Sequence, residues 1–261
     1  MRVQRRAVLG FGIAALLGPS RSMAQAAVPV IAAASDLQFV LEEIAAVFRA
    51  DTGMDVALSF GSTGNFARQI RQGAPFELFM AADETFILDL ARDGFTTDEG
   101  VLYGIGRIAL IVPTGSRLLA DGNLDDLAAG LADGRVTHFA IANPDHAPYG
   151  ARAREALQHK RLWDTIQPAL ILGENVSQAA QFATSGNAQG GIIAQSLALS
   201  PKVSALGTSA FIPAEWHQPL RQRMALIKGA GPVAKAFYAY LQGPVARSAF
   251  ETAGFALPMA G

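Results

Sequence analysis

Ala33-Ala34-Ser35-Asp36-Leu37 and Ser59-Phe60-Gly61-Ser62-Thr63-Gly64-Asn65 each follow an apolar, β-like stretch and each open an amphipathic helical pattern. This places Ser35 and Ser62 at helix N-termini. A helix start presents several backbone N–H groups with no intrahelical acceptor, together with the positive end of the macrodipole. Two such starts facing each other would make an anion site without a charged side chain.

The same alternation runs along most of the chain. Strands are predicted at Val28–Ala34, Val56–Phe60, Leu78–Ala81 and Arg107–Val112, with helices over Asp36–Ala50, Asn65–Gln72 and Glu84–Arg92 between them. A second set follows: strands at Thr137–Ala142, Leu170–Leu172 and Gly191–Ala194, and helices near Leu124–Ala132, Gly150–His159 and Ser177–Thr184. A last strand, Met224–Lys228, precedes helices over Pro232–Gln242 and Val245–Thr252. The pattern predicts an α/β fold with largely parallel sheets. Two similar sets with a segment left over give two lobes, residues 27–106 plus 224–261 and residues 107–223, with the C-terminal helices folding back on the first.

Residues 1–26 stand apart. Arg2, Arg5 and Arg6 form a basic n-region, Ala7–Leu17 a short apolar run and Ala24-Gln25-Ala26 a small-x-small cleavage site, which is the pattern of a secretory signal peptide. The Arg5-Arg6 pair fits twin-arginine export in part, leaving both that route and Sec open. The chain carries 21 basic and 22 acidic residues; loss of Arg2, Arg5, Arg6 and Arg21 leaves 17 against 22, a net charge of −5. Such a balance argues against nucleic acid as a partner. Without cysteine there is no disulfide framework, thiolate metal site or lipid anchor on Cys.

Each serine also has an ordinary reading as an N-cap that serves only its own helix. Two further strand-to-helix turns shift the balance: Asn143-Pro144-Asp145-His146-Ala147-Pro148-Tyr149-Gly150 and Gly173-Glu174-Asn175-Val176-Ser177. In open α/β sheets ligands sit outside the carboxyl ends of the strands, and all four turns lie on that edge. Other motifs are weak. Gly104-Ile105-Gly106-Arg107-Ile108-Ala109 fits a dinucleotide pattern but runs into a strand, and Pro232 at a helix start explains Gly229-Ala230-Gly231 better than a cofactor does. His138, His146, His159 and His217 are scattered without zinc spacing, and no Ser, His and acid constellation of a hydrolase is visible.

The two serine runs, with Gly73-Ala74-Pro75-Phe76-Glu77-Leu78-Phe79-Met80-Ala81-Ala82-Asp83, the turn at residues 143–150 and Ala236-Phe237-Tyr238-Ala239-Tyr240-Leu241-Gln242-Gly243-Pro244, resemble the periplasmic molybdate-binding proteins of ABC importers over nearly the whole mature chain. The resemblance implies a two-lobed periplasmic-binding-protein fold, each lobe a mostly parallel sheet flanked by helices, with the ligand cleft between the lobes. By position it puts the anion contacts on Ser35 and Ser62 of the first lobe and on the backbone N–H groups of Tyr149 and Val176 of the second. Molybdenum enters only within the oxyanion, and no cofactor is implied. One position departs: a tyrosine that places its hydroxyl on the anion in well-known family members aligns with Ala194, and the Tyr149 hydroxyl is the candidate substitute. Asp36 has two readings. In the favoured one its side chain faces away and supports the first helical turn; in the other it coordinates the metal and enlarges the shell.

The expected function is therefore a periplasmic, monomeric solute-binding protein, not an enzyme, that hands molybdate or tungstate to an inner-membrane permease and ATPase complex. Molybdate and tungstate only accept hydrogen bonds near neutrality, so a shell of N–H and O–H donors satisfies them, whereas a buried unpaired phosphate hydroxyl would cost about 1–3 kcal/mol. The alternatives are a binding protein for another oxyanion such as sulfate and, more distantly, a secreted hydrolase.

Overall fold

Successive side chains of a strand point to opposite faces of its sheet. Where both faces are covered by helices, strands read as unbroken apolar runs. The computed structural model describes residues 28–258 and shows this in two sheets; the leader read at residues 1–26 lies outside the described residues. The strands are β1 Val30–Ala34, β2 Ala57–Gly61, β3 Phe76–Ala81, β4 Val101–Gly106, β5 Ile108–Pro113, β6 Phe139–Ala142, β7 Leu170–Gly173, β8 Gly190–Ala194, β9 Gly207–Phe211 and β10 Leu220–Leu226. The helices are α1 Gln38–Thr52, α2 Thr63–Arg71, α3 Glu84–Arg92, α4 Asp125–Ala132, α5 Pro148–His159, α6 Trp163–Ile166, α7 Val176–Thr184, α8 Gln195–Leu199, α9 Pro201–Ser204, α10 Pro232–Tyr240 and α11 Pro244–Thr252.

The first sheet has the order β2-β1-β3-β10-β4 and the second β7-β6-β8-β5-β9. In the first, Ile31, Ala33, Leu78, Met80 and Met224 pack toward α1, α10 and α11 with Leu41, Ile44, Phe48, Phe237 and Phe250. Their neighbours Ala32, Phe79, Ala81 and Ala225 turn to the opposite face, against Phe66 and Ile70 of α2 and Ile87 and Leu90 of α3. The second sheet is buried in its own cluster around Ile108–Val112, Phe139–Ala142 and Ile192–Ala194. Thr52-Gly53 ends α1 as its sequence predicts, Gly53 taking the left-handed conformation (φ 71°) and donating to the Arg49 carbonyl at 2.9 Å.

The chain crosses between sheets twice, at Arg107 between β4 and β5 and in the segment between β9 and β10. β10 runs antiparallel to both β3 and β4, and β5 antiparallel to both β8 and β9. Four strands of each sheet therefore share one direction and the strand beside a crossing opposes them. The sheets are mixed, a refinement of the largely parallel expectation. The return to the first lobe also begins at Leu220, earlier than the expected 224, because Arg221 and Arg223 interrupt the apolar run of β10. Their guanidinium groups both reach Glu84 at the head of α3.

Two strands lie outside the sequence expectation. β9 is an exposed edge strand. β4 is opened by Gly104 and Gly106: a Cβ at Gly106 would stand 2.3 Å from the Tyr149 hydroxyl and 2.6 Å from Gln222 Nε2. The glycine pattern once comparable with a nucleotide loop thus lets buried polar side chains approach the backbone at the crossing between lobes.

Candidate functional site

Ser62 caps α2, its hydroxyl oxygen accepting the Asn65 amide at 3.3 Å. Thr63 Oγ1 accepts the Ala82 amide at 3.0 Å and ties this helix start to the end of β3. Ser35 differs from its expected capping role. Residues Ser35–Leu37 form a single 3-10 turn ahead of α1, and the serine caps nothing. Its oxygen instead accepts the Ser177 amide of the opposite lobe at 3.2 Å, while Ser177 Oγ donates to the Ser35 carbonyl at 2.8 Å. Because that oxygen only accepts, the Ser35 hydroxyl proton is left over.

Tyr149 is the second residue of α5, behind Pro148, and Val176 is the first of α7, behind the Asn175 cap. Helix geometry leaves both amides without an intrahelical acceptor. Ser35, Asp36, Ser62, Tyr149 and Val176 are all buried, and all line one small cavity of about 10 Å³ together with Gly61, Thr63, Ala82, Ala147 and Asn175. Among the described residues no basic side chain lines it. A volume of that size is about what one water-sized occupant needs, so the cavity has no room for a sugar or peptide. The four strand-to-helix turns singled out in the sequence do meet.

Asp36 lines this cavity with its side chain fully buried and turned toward Tyr149 of the other lobe, so the favoured expectation that it faces away and only supports the helix start is not met. Oδ2 accepts from the Tyr149 hydroxyl at 2.9 Å and from Gln222 Nε2 at 2.7 Å; Gln222 Oε1 in turn accepts from the Tyr103 hydroxyl at 2.7 Å. Oδ1 is buried with no partner. Loss of hydration on burial raises the Asp36 carboxyl from the usual 3.8 to about 6 despite the Gln222 and Tyr149 hydrogen bonds that oppose the rise. Burial, and then the neighbouring Asp36 charge, push both phenols well above their ordinary range, so they stay neutral donors. A phenol has one proton to give, and that of Tyr149 goes to Asp36; the hydroxyl contact with an anion expected for it is not the contact it makes here. Ala194 pairs with Ile108 in the second sheet, and the nearby Ser196 hydroxyl donates to the Asp36 carbonyl at 2.8 Å.

Across the other side of the cleft, Ser62 Oγ lies 2.9 Å from His146 Nδ1, and the Gly64 amide donates to the His146 carbonyl at 2.9 Å. His146 Nε2 is 3.5 Å from Glu174, which also accepts from the Asn65 side chain. Arg152 on α5 reaches over to Asp83, the cap of α3, at 2.7 Å. These bonds join the lobes in a closed state. They also place a serine, a histidine and an acid in contact, which the sequence separation of residues 62, 146 and 174 conceals. Gln222 was equally hidden, although a glutamine between Leu220 and Met224 on the inward face of β10 is the signal that would have found it.

Asp36 makes a stability prediction. Between about pH 4 and 6 the folded protein keeps a proton that the unfolded chain has released, so stability falls as pH rises through that window and stays lower above it. Asp36→Asn keeps an acceptor for Tyr149 and Gln222 without a charge. Ligand-free thermal unfolding is expected to show the variant more stable than the parent at pH 8, by up to roughly 3 kcal/mol, with the gap closing toward pH 4.

The chain matches the family of bacterial extracellular solute-binding proteins over residues 29–256. It is 36% identical over 237 residues to the molybdate-binding protein ModA of Azotobacter vinelandii, covering 90% of this chain and 92% of that one. It is 32% identical over 227 residues to ModA of Escherichia coli, covering 86% and 87%. The solved periplasmic molybdate-binding protein of Azotobacter vinelandii superposes with a TM-score of 0.78 at 30% identity, over 89% of this chain and all of that one. A sulfate-binding protein of Mycobacterium tuberculosis, at 16% identity, TM-score 0.70 and coverage of 87% and 85%, shares the fold.

Proposed function

We propose that this chain, which belongs to the family of bacterial extracellular solute-binding proteins, captures molybdate or tungstate outside the cytoplasm and delivers it to an ABC importer. The observation that carries this reading is the convergence of Ser35, Ser62, Tyr149 and Val176, two from each lobe and all at strand-to-helix turns, on one small cavity. Such a shell offers donors alone to a deprotonated tetrahedral oxyanion, and the two helix starts of the second lobe add their positive ends. Enclosure strengthens each contact by excluding water. Closure of the lobes then reports occupancy to the transporter, because a ligand that touches both lobes favours the closed state over the open one.

No bond is made or broken in this reading. The Ser62–His146–Glu174 contact is the observation that favours a hydrolase instead, but Glu174 is more than half exposed and Ser62 Oγ is already engaged as a helix cap. A screen with ester and phosphoester substrates is expected to find no turnover above background. The reading itself is tested by calorimetric titration with molybdate, tungstate, sulfate and phosphate. Tight binding of the first two supports it; strong heat with sulfate and none with molybdate or tungstate reverses the ligand assignment.

A further inference from the structure

A donor-only shell explains the serines and amides of the site but leaves one lining residue out of place. Asp36 sits on the wall of the enclosed space, and one of its two oxygens, Oδ1, is buried without any hydrogen-bond partner. The other oxygen is fully used by Tyr149 and Gln222. An ionised carboxylate with a bare oxygen beside a dianion would combine two unfavourable situations, a buried unpaired acceptor and like charges in a water-poor space. A single proton on or against Oδ1 removes both.

We propose that Asp36 makes the site a reader of an oxyanion plus one proton: closure on the dianion draws one proton from solvent, which is held between Asp36 Oδ1 and an oxygen of the ligand. Asp36 thereby becomes a fifth contact, the third from the first lobe, and a determinant of specificity. This inference rests on the oxyanion reading above. It also widens the class of ligands the cavity tolerates, since an oxyanion carrying its own hydroxyl, such as hydrogen phosphate or hydrogen arsenate, meets an ionised Asp36 as acceptor rather than an unmatched wall.

The surroundings of Asp36 support the assignment. Its carboxyl already holds protons more tightly than an ordinary aspartate because it is buried, and an adjacent dianion acts in the same direction. The phenols facing it, Tyr149 from α5 and Tyr103 from β4, are held neutral. Gln222 from β10 and Ser196 from α8 carry no charge. Glu43 of α1 shares the outer groove with Asp36 but is exposed. Across the cleft His146 faces Ser62, and its substitution serves as the control in the test.

The test is calorimetric titration of the full mature protein with sodium molybdate at pH 7 and pH 8, each in two buffers of different ionisation enthalpy, with Asp36→Asn and His146→Gln alongside. The expected result is uptake of close to one proton per molybdate at pH 8 in the parent and in His146→Gln, with affinity weakening up to tenfold from pH 7 to pH 8. In Asp36→Asn, whose amide donates without titrating, uptake and pH dependence are both expected to vanish. Binding by the parent without proton uptake overturns the proposal even if Asp36→Asn fails to fold. Uptake that persists in Asp36→Asn and disappears in His146→Gln overturns it in favour of the histidine. Absence of any binding of molybdate or tungstate by the parent instead overturns the oxyanion assignment on which the proposal stands, and the proposal with it.

Discussion

Gly64→Val is expected to weaken molybdate binding roughly 100-fold while leaving the ligand-free protein folded. Gly64 lies in the first turn of α2, and a Cβ there would stand 2.7 Å from the His146 carbonyl oxygen and 3.1 Å from its Cα, both backbone atoms of the opposite lobe. Backbone cannot swing aside as a side-chain tip can, so the lobes must part at this point and the Gly64 to His146 hydrogen bond opens with them. Overpacking of this kind costs about 1–3 kcal/mol, and loss of the hydrogen bond about 1 more; at 1.4 kcal/mol per tenfold this gives the stated effect. Gly64→Ala is a sharper control. Alanine favours the helix by about 1 kcal/mol over glycine, so thermal stability is expected to hold or rise while affinity drops roughly tenfold. A purely destabilising substitution would lower both. Parallel thermal melts and titrations separate the two, and unchanged affinity in the valine variant would show that the closed contact at His146 is not needed for capture.

The larger loss is expected from Ser35→Ala combined with Ser62→Ala. A hydrogen bond to a charged group is worth about 1.5–3 kcal/mol, so removal of both hydroxyls is expected to cost roughly 3–6 kcal/mol if the two act independently, which places the affinity 100-fold or more below the parent. The single variants separate two roles. Ser62→Ala also removes the cap of α2, which adds about 1 kcal/mol of lost stability. Ser35→Ala removes no cap but loses the acceptor for the Ser177 amide across the cleft, so it is expected to leave the melting temperature nearly unchanged while affinity falls. Affinity within threefold of the parent in the double variant would mean that main-chain amides alone hold the anion.

The parts of this molecule that were readable from sequence are those where local chemistry and tertiary structure agree. β1, β3 and β5 are covered on both faces, so their apolar runs stand out. The turns at Ser62, Tyr149 and Val176 carry caps or an N1 proline that mark a helix start wherever they occur. Ser35 had the right place and a different role, because a 3-10 turn looks like the first turn of a helix in sequence while sending the side chain to another partner. β4 and β9 escaped for opposite reasons: glycine in β4 serves side chains that come from Gln222 and Tyr149, and β9 is an edge strand whose side chains are mostly exposed. The buried chain Tyr103–Gln222–Asp36–Tyr149 and the Ser62–His146–Glu174 contact join residues up to 186 positions apart. No local pattern encodes such pairs; they exist only once the two lobes have met.

On the proposed reading the four strand-to-helix turns, and no basic side chain, enclose the anion. A crystal structure of the molybdate complex, with molybdenum located by its anomalous scattering, addresses this directly. One molybdenum is expected in the space bounded by Ser35, Ser62, Tyr149 and Val176, its oxygens about 2.7–3.2 Å from those hydroxyls and amides. Molybdenum found in the outer groove beside α1 and α11, or held by lysine or arginine side chains, would contradict it.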